Sequence, residues 1–285
     1  MKNIQESLKT VMAATQNEQV IFPPQLLTKL QGKSAWDRLH HQFLVEARSG
    51  EAKYMHFLVH LAKLTDAKLI VELGNRYGLS TIALYHGMKA DQRLVTIDTV
   101  KDQRYVPAEI FKDPRVTFVY GDCMQFRAMQ DANIEVPVDI DILWSDTIHY
   151  NEQVSSEYYV YEPLLADESI IVIDDVGVND KGKFFAQVKF WKKDYRDLHG
   201  SGYGIIHYKR PQSERGKTKQ QRVDEALLRS SEVFERRWHK NYDKLSDVKA
   251  RYKELKREEL RETIKGIIGK RLMAFINKMR FSYTQ

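Results

Sequence analysis

From residue 68 to residue 208 the chain alternates short apolar runs with segments of helical spacing. The runs have the length and the Val, Ile and Leu content of buried strands, and they cover residues 68–73, 93–98, 116–120, 138–144, 169–174 and 203–208. Helical spacing lies between most of them, as at residues 80–88 and 150–165. This alternation predicts a doubly wound, Rossmann-like α/β domain with a mostly parallel sheet over residues 66–210.

The segment before this domain has the pattern of amphipathic helices. Apolar residues recur at three- and four-residue spacing, and the pair Pro23–Pro24 interrupts any helix that precedes them. Residues 1–65 are therefore predicted to form a helical lid or cap. Its candidates for contact with a substrate, several of which we expect in the core instead, are Trp36, His40, His41, Tyr54, His56 and His60.

The chain after the domain has a different pattern. Residues 211–221 are polar and contain Pro and Gly, as in a linker. Residues 222–285 predict a helical, coiled-coil-like tail with a basic amphipathic end. The seam of heptad a and d positions is imperfect, because it includes the polar residues Ser231 and Asn241. Its members are Leu227, Ser231, Phe234, Trp238, Asn241, Leu245, Val248, Tyr252 and Leu255.

Charge follows the same division. The net charge is +6, yet residues 212–285 hold 20 Lys and Arg against 11 Asp and Glu, so the preceding part is mildly acidic. With 42% hydrophobic residues the chain has enough apolar material for a core, which excludes a wholly disordered protein. Cys123 is the single cysteine, so neither an intrachain disulfide nor a zinc site made from cysteine pairs is available. A reducing, cytoplasmic location is the expectation.

A glycine-containing loop joins the first strand to the first helix of the domain. Gly74 and Gly78 allow the backbone to approach a ligand, and the helix is predicted to begin near Ser80. Their spacing differs from the G-x-G-x-x-G of pyrophosphate binding, and glycines at such a turn also occur without a ligand. The acidic residues at the ends of successive strands favour a ligand: Glu72 and Asp98 end the first two.

Asp122 and Cys123 follow the third strand at the same edge. Together these residues resemble those of class I S-adenosylmethionine-dependent methyltransferases over residues 66–210. The resemblance implies that the glycine loop holds the methionine end of S-adenosylmethionine, that Asp98 holds its ribose and that Asp122 lies by its adenine. The implied cofactor residues are Glu72, Gly74, Gly78, Ser80, Asp98, Asp122 and Cys123.

A second group of polar residues follows strands four and five. Asp146, Asp174 and Asp175 are expected to meet at one edge of the sheet, where like charges need a cation or protons between them. Oxygen ligands suit Mg²⁺, which would hold a substrate diol and lower the pKa of the attacking hydroxyl. His149 would accept the hydroxyl proton. The alternative is that the aspartates serve only as turn or capping residues.

The spacing D-x-x-H with a pair of acids after strand five resembles a narrower group, the metal-dependent sugar O-methyltransferases of macrolide biosynthesis and the related cephalosporin-biosynthesis protein. The resemblance implies Asp146, Asp174 and Asp175 as metal ligands and His149 as the base. That group usually has Glu where this chain has Asp174.

These features predict a Mg²⁺- and S-adenosylmethionine-dependent O-methyltransferase that acts on a sugar hydroxyl of a glycan or a glycosylated metabolite. The alternatives are a metal-independent O-methyltransferase for small molecules and a coiled-coil scaffold with a degenerate methyltransferase fold. The tail predicts self-association or a helical partner, with a solvated helix packed on its own domain as the alternative, and its basic end also fits the inner face of a membrane. Nucleic acid is disfavoured as a partner, because acidic residues are interleaved throughout the tail.

Overall fold

The computed structural model describes residues 3–20, 22, 46, 52–103, 105–237, 239–240 and 253–254. The chain divides into two compact units, Met1–Val233 and Phe234–Gln285. All the predicted cofactor, metal and catalytic residues belong to the first unit. The predicted lid residues Trp36, His40 and His41 lie outside the described residues, as does almost all of the predicted tail beyond residue 240.

Seven strands of the described part of the chain form a single sheet. They are β1 Leu69–Leu73, β2 Arg93–Asp98, β3 Val116–Tyr120, β4 Ile140–Ser145, β5 Leu165–Asp174, β6 Trp191–Asp194 and β7 Tyr203–Lys209. Their order in the sheet is β3-β2-β1-β4-β5-β7-β6. Neighbours among β1 to β5 pair in parallel, whereas β7 is antiparallel to both β5 and β6. The predicted mostly parallel sheet is confirmed, with β6 as a strand that the pattern did not predict.

Helices precede the sheet and connect its strands. They are α1 Ile4–Asn17, α2 Lys53–Leu64, α3 Leu79–Gly87, α4 Ala108–Lys112, α5 Arg127–Asp131, α6 Asn151–Tyr161 and α7 Gly182–Gln187, followed by α8 over residues 219–237. Among the described residues, no helix combines the length and the apolar character that crossing a bilayer requires.

Both faces of the sheet are covered. Successive residues of a strand point to opposite faces, so that Ile70 and Val172 belong to one hydrophobic cluster while Val71 and Ile171 belong to the other. Helices α1, α2 and α3 contribute to the first cluster, and α6 and α8 contribute to the second. Burial on both sides explains why the strands are almost continuously apolar.

The first compact unit continues beyond the predicted linker. Residues Gln212–Glu214 form one turn of 3₁₀ helix, and α8 then packs against the domain. Ala226 and Val233 are buried, Ser230 Oγ donates a hydrogen bond to the carbonyl of Met124 at 2.5 Å, and Arg222 pairs with Asp139. The first turns of the predicted tail are therefore part of the domain's core.

Candidate active site

The loop between β1 and α3 touches its neighbours closely at both glycines. Gly74 has φ +82°, and a Cβ built on it would lie 2.2 Å from the carbonyl oxygen of Asp146. Gly78 has φ +92°, and its Cβ would lie 2.0 Å from Cγ2 of Val106. Either contact excludes a side chain, and the positive φ favours glycine independently. Gly74 therefore places the predicted cofactor loop directly against the start of the predicted metal site.

Glu72 lies in β1 next to this loop and is completely buried. Thr81 Oγ1 donates a hydrogen bond to its Oε2 at 2.6 Å. Burial raises the pKa of Glu72 to about 7, although the hydroxyls of Ser80, Thr81 and Thr96 oppose the rise. Burial thus favours the protonated form of this carboxyl, which explains how an acid is tolerated in the first strand of the sheet. Ser80, in the first turn of α3, provides one of the hydroxyl groups next to the Glu72 carboxyl.

Asp98 holds the loop in shape from the end of β2. Its Oδ2 accepts hydrogen bonds from the backbone N–H groups of Asn75 at 2.9 Å and Arg76 at 2.6 Å, and its Oδ1 accepts one from Val100 at 2.8 Å. A carboxylate that accepts three backbone hydrogen bonds fixes the path of the chain around it. The predicted ribose ligand is therefore also the residue that positions the glycine loop.

Asp122 and Cys123 follow β3 at the same edge. Asp122 Oδ1 accepts a hydrogen bond from the backbone N–H of Met124 at 2.9 Å. Cys123 is buried, and its thiol donates to Oε1 of Glu157 at 3.6 Å. The structure thus brings the predicted cofactor residues together along the ends of β1, β2 and β3.

Glu157 is a buried polar centre that sequence reasoning missed. Its carboxylate accepts hydrogen bonds from Ser145 Oγ at 2.7 Å, Thr147 Oγ1 at 2.5 Å and Gln153 Nε2 at 2.5 Å, besides the Cys123 thiol. The signal in the sequence was an acid at helical spacing among buried residues of α6. Through these bonds Glu157 fixes the start of the loop that follows β4.

The ends of β4 and β5 bring the predicted metal and catalytic residues together. Asp146 follows β4, where its N–H donates to the carbonyl of Leu73 at 2.9 Å. Asp174 ends β5, and Asp175 follows with φ +56°. His149 Nε2 lies 3.2 Å from Oδ2 of Asp175 and 3.6 Å from Oδ1 of Asp146. The predicted histidine therefore faces the carboxylates.

A second histidine, His199, completes the cluster from the other side. Its Nδ1 lies 3.3 Å from Oδ1 of Asp174 and 3.4 Å from Oδ1 of Asp175. It belongs to the connection between β6 and β7, and nothing in the hydrophobic pattern pointed to it because β6 itself was not predicted. The ring of Tyr54, in α2, lies 5.5 Å from the ring of His199, so the N-terminal helices reach this site.

The electrostatics of the cluster favour a cation. Burial, with the Asp146 charge next, raises the pKa of Asp174 to about 6, while the Asp146 carboxylate raises the pKa of His149. Asp174 Oδ1 and Asp175 Oδ1 are buried, and among the described residues neither has a hydrogen-bond partner besides its ion pair with His199 Nδ1. Two sets of ligand atoms, Asp146–His149–Asp175 and Asp174–Asp175–His199, each lie within 4.8 Å of one another. Carboxylate oxygens with unused acceptor capacity suit a hard divalent ion.

Two other histidines of the predicted lid belong to the core. His56 and His60 in α2 are both 2% exposed, and burial lowers the pKa of each. The structure thus places both imidazoles in the interior, where burial favours their neutral form. Of the described lid residues singled out in the sequence, Tyr54 is the one whose ring lies beside the site.

Residues 71–176 match the family described as "Methyltransferase domain". The matched segment contains every residue predicted to bind the cofactor or the metal or to act as the base. An O-methyltransferase of Aspergillus hancockii is 21% identical over 140 residues, which make up 47% of this chain and 53% of that protein. The chain thus spans about half the length of this curated relative.

Solved structures with a similar arrangement include the O-methyltransferase TomG from Streptomyces achromogenes, with 16% identity, a TM-score of 0.49 and coverage of 74% of this chain and 100% of that one. The Podospora anserina methyltransferase PaMTH1 has 17% identity, a TM-score of 0.46 and coverage of 74% and 98%. The family match agrees with the class I resemblance of the sequence. Residues 71–176 are therefore similar to a methyltransferase domain, in agreement with what the sequence predicted for this segment.

Proposed function

We propose that the protein is an O-methyltransferase that transfers the methyl group of S-adenosylmethionine to a hydroxyl held at the Asp146–Asp174–Asp175 cluster. The observation that carries this proposal is the convergence of three aspartates and two histidines at the ends of β4 and β5. The contact of Gly74 with the Asp146 carbonyl puts that convergence beside the cofactor loop. Methyl transfer needs an in-line approach of the acceptor oxygen and the removal of one proton. In this proposal the cofactor loop and the cluster next to it serve the approach, and His149 removes the proton.

The cofactor supplies an electrophilic methyl group when bound, and the chain's residues orient it. In this proposal the glycine loop receives the methionine end next to Glu72, Asp98 accepts the ribose hydroxyls, and Asp122 lies by the adenine. Gly78, Ser80 and Cys123 complete the lining of the cofactor site in this proposal. The support is their placement along the ends of three neighbouring parallel strands, the edge where ligands bind in such sheets.

The metal ligands in this proposal are Asp146, Asp174 and Asp175, and the ion is Mg²⁺. When bound, the ion would hold the acceptor oxygen and favour its ionisation. His149 is the group that takes the hydroxyl proton, because its side chain is 33% exposed and its Nε2 points to the cluster. His199 orients Asp174 and Asp175 from the opposite side.

The acceptor in this proposal is a hydroxyl of a sugar, on a glycan or a glycosylated metabolite. Ile148 and Tyr150 stand on either side of His149 in sequence, and they are 62% and 55% exposed. An apolar side chain and an aromatic ring beside the base offer a surface for the C–H face of a sugar ring. A small phenol acceptor with no metal requirement is the competing function.

Methyl transfer from radiolabelled S-adenosylmethionine to sugar-containing acceptors, with and without EDTA, tests the proposal. We expect activity with Mg²⁺, and its loss in EDTA and in Asp146→Asn. The His149→Ala variant should lose at least about 100-fold in kcat while it retains cofactor affinity, as expected for loss of a general base. Undiminished transfer in excess EDTA would refute the metal, and full turnover by His149→Ala would refute the base. Absence of S-adenosylmethionine binding in calorimetry would favour the scaffold function.

We further propose that the tail mediates self-association or binds a partner helix. A truncation after residue 240 is the appropriate test, because it keeps α8 and its buried contacts with the domain. Light scattering should find an oligomer for the full chain and a monomer for the truncated one. Two monomers would contradict the proposal, and binding of the full chain alone to anionic vesicles would favour the membrane alternative.

A further inference from the structure

His199, in the connection between β6 and β7, reaches the carboxylate cluster with one ring nitrogen. Its Nδ1 lies 3.3 Å from Oδ1 of Asp174 and 3.4 Å from Oδ1 of Asp175, and Ser201 Oγ lies 3.3 Å from the same nitrogen. Two neighbouring ligands that are each about 2.1 Å from one ion lie about 3.0 Å apart in octahedral and about 3.4 Å apart in tetrahedral coordination. The nitrogen therefore already has the separation from both oxygens that ligands of one ion have.

Contacts outside the cluster fix the position of this imidazole. The backbone N–H of Gly177, in the turn after β5, donates to the carbonyl of Ser201 at 2.7 Å, and the N–H of Gly202 donates to the carbonyl of His199 at 2.8 Å. The completely buried ring of Tyr203 lies 5.8 Å from the imidazole and at 85° to it. Such supporting contacts orient a side chain before it binds an ion.

The two oxygens of Asp175 face different histidines. Its Oδ1 lies beside His199 Nδ1, whereas its Oδ2 lies 3.2 Å from Nε2 of His149. Asp174 is 8% exposed, and among the described residues its Oδ1 has no hydrogen-bond partner besides its ion pair with His199. The buried carboxylate oxygens thus face His199, and His149 remains available for proton transfer on the other side of Asp175.

We propose that His199 Nδ1 is a metal ligand that binds the same ion as Oδ1 of Asp174 and Oδ1 of Asp175. The inference rests on the proposed metal site and adds a nitrogen ligand to its oxygen ligands. Mg²⁺ takes oxygen ligands, whereas imidazole suits transition ions. His199 therefore determines how strongly the site prefers a transition ion such as Co²⁺ to Mg²⁺.

Pulsed electron paramagnetic resonance of Mn²⁺ bound to the full-length protein at pH 8 tests this assignment, because the modulation of the spin echo reports a directly bound imidazole nitrogen without any catalytic reaction. Wild type should show this nitrogen signal. His199→Ala should lose it at a Mn²⁺ concentration that saturates the variant, and His199→Gln carries the same expectation if His199→Ala does not fold. His149→Ala is the matched control and should keep the signal.

Calorimetric titration with Co²⁺ and with Mg²⁺ separates a ligand from a residue that only orients the aspartates. His199→Ala should lose at least about tenfold in Co²⁺ affinity and less than about threefold in Mg²⁺ affinity, because water readily replaces a ligand of Mg²⁺ but is a poorer substitute for imidazole on Co²⁺. Equal losses for the two ions overturn the assignment, because misplaced aspartates weaken the binding of both.

A nitrogen signal that persists in His199→Ala, or wild type that binds Mn²⁺ without such a signal, likewise overturns the role of His199 and leaves the proposed metal site standing. Absence of Mn²⁺ binding in wild type and in every variant refutes the metal site itself, and the role of His199 with it.

Discussion

Replacement of Asp174 by Asn should stabilise the metal-free protein, although the residue belongs to the proposed metal site. Asp174 is 8% exposed, and burial raises its pKa from 3.8 to about 6 in the folded protein. The folded state therefore binds this proton more tightly than the unfolded state. No penalty exists below pH 4, stability is lost as the pH rises from there to about 6, and the full penalty remains above it.

The magnitude follows from the two pKa values. Each pKa unit corresponds to about 1.4 kcal/mol, so the ionised Asp174 costs the metal-free protein about 3 kcal/mol at pH 8. The ion pair with His199 is already contained in that pKa, because His199 opposes the rise. Asn at this position cannot ionise, so the variant should be about 2–3 kcal/mol more stable than wild type at pH 8 and nearly equal to it at pH 4.

Urea unfolding in EDTA at both pH values measures this difference, since the free energy of unfolding is obtained by linear extrapolation. Asp131→Asn is the control, because the Asp131 side chain is 71% exposed and pairs only loosely with Arg127 at 3.6 Å. Its stability should change by less than about 0.5 kcal/mol. Added Mg²⁺ should stabilise wild type and leave Asp174→Asn unchanged. An Asp174→Asn protein that is no more stable than wild type at pH 8 in EDTA would refute the reasoning.

Two further predictions concern the frame around the site. Gly74→Ala should lower the melting temperature and weaken S-adenosylmethionine binding, because its Cβ would lie 2.2 Å from the Asp146 carbonyl oxygen. Gly200→Ala is the control and should change neither property, because a Cβ there would have no atom within 4 Å. Equal melting temperatures for the two variants would contradict this packing. Glu157→Gln should lower the free energy of unfolding by about 1–3 kcal/mol, since an amide nitrogen in place of Oε1 would face Gln153 Nε2, which can only donate; unchanged urea unfolding would contradict the role of this carboxyl as the acceptor.

The sheet was largely predictable from the sequence, and the exception has a clear reason. Strands β1 to β5 and β7 lie where the apolar runs predicted them, because a strand buried on both faces must be apolar along its whole length. Strand β6, Trp191–Asp194, is short, polar and at the edge of the sheet. An edge strand that is covered on one face only does not need a continuous run of apolar residues, so the sequence shows none there.

The candidate site was predictable only where strand ends define it. Asp98, Asp146 and Asp174 could be placed at one edge, because parallel strands end on the same side. His199 comes from a connection and Glu157 from a helix, and their contacts with the residues at the strand ends depend on how those segments pack. The spacing of residues along the chain does not predict how those segments pack.

The sequence by itself determined the parallel α/β sheet and the acids at its carboxyl edge, since periodicity and strand direction are local properties. Tertiary structure decided what surrounds those acids. It buried Glu72, directed His149 and His199 at Asp175 from two different segments, and packed Ala226 and Val233 of α8 into the core of the first unit. Burial and charge balance arise from contacts between distant segments, and they set the pKa values and the cation affinity on which the proposed chemistry depends.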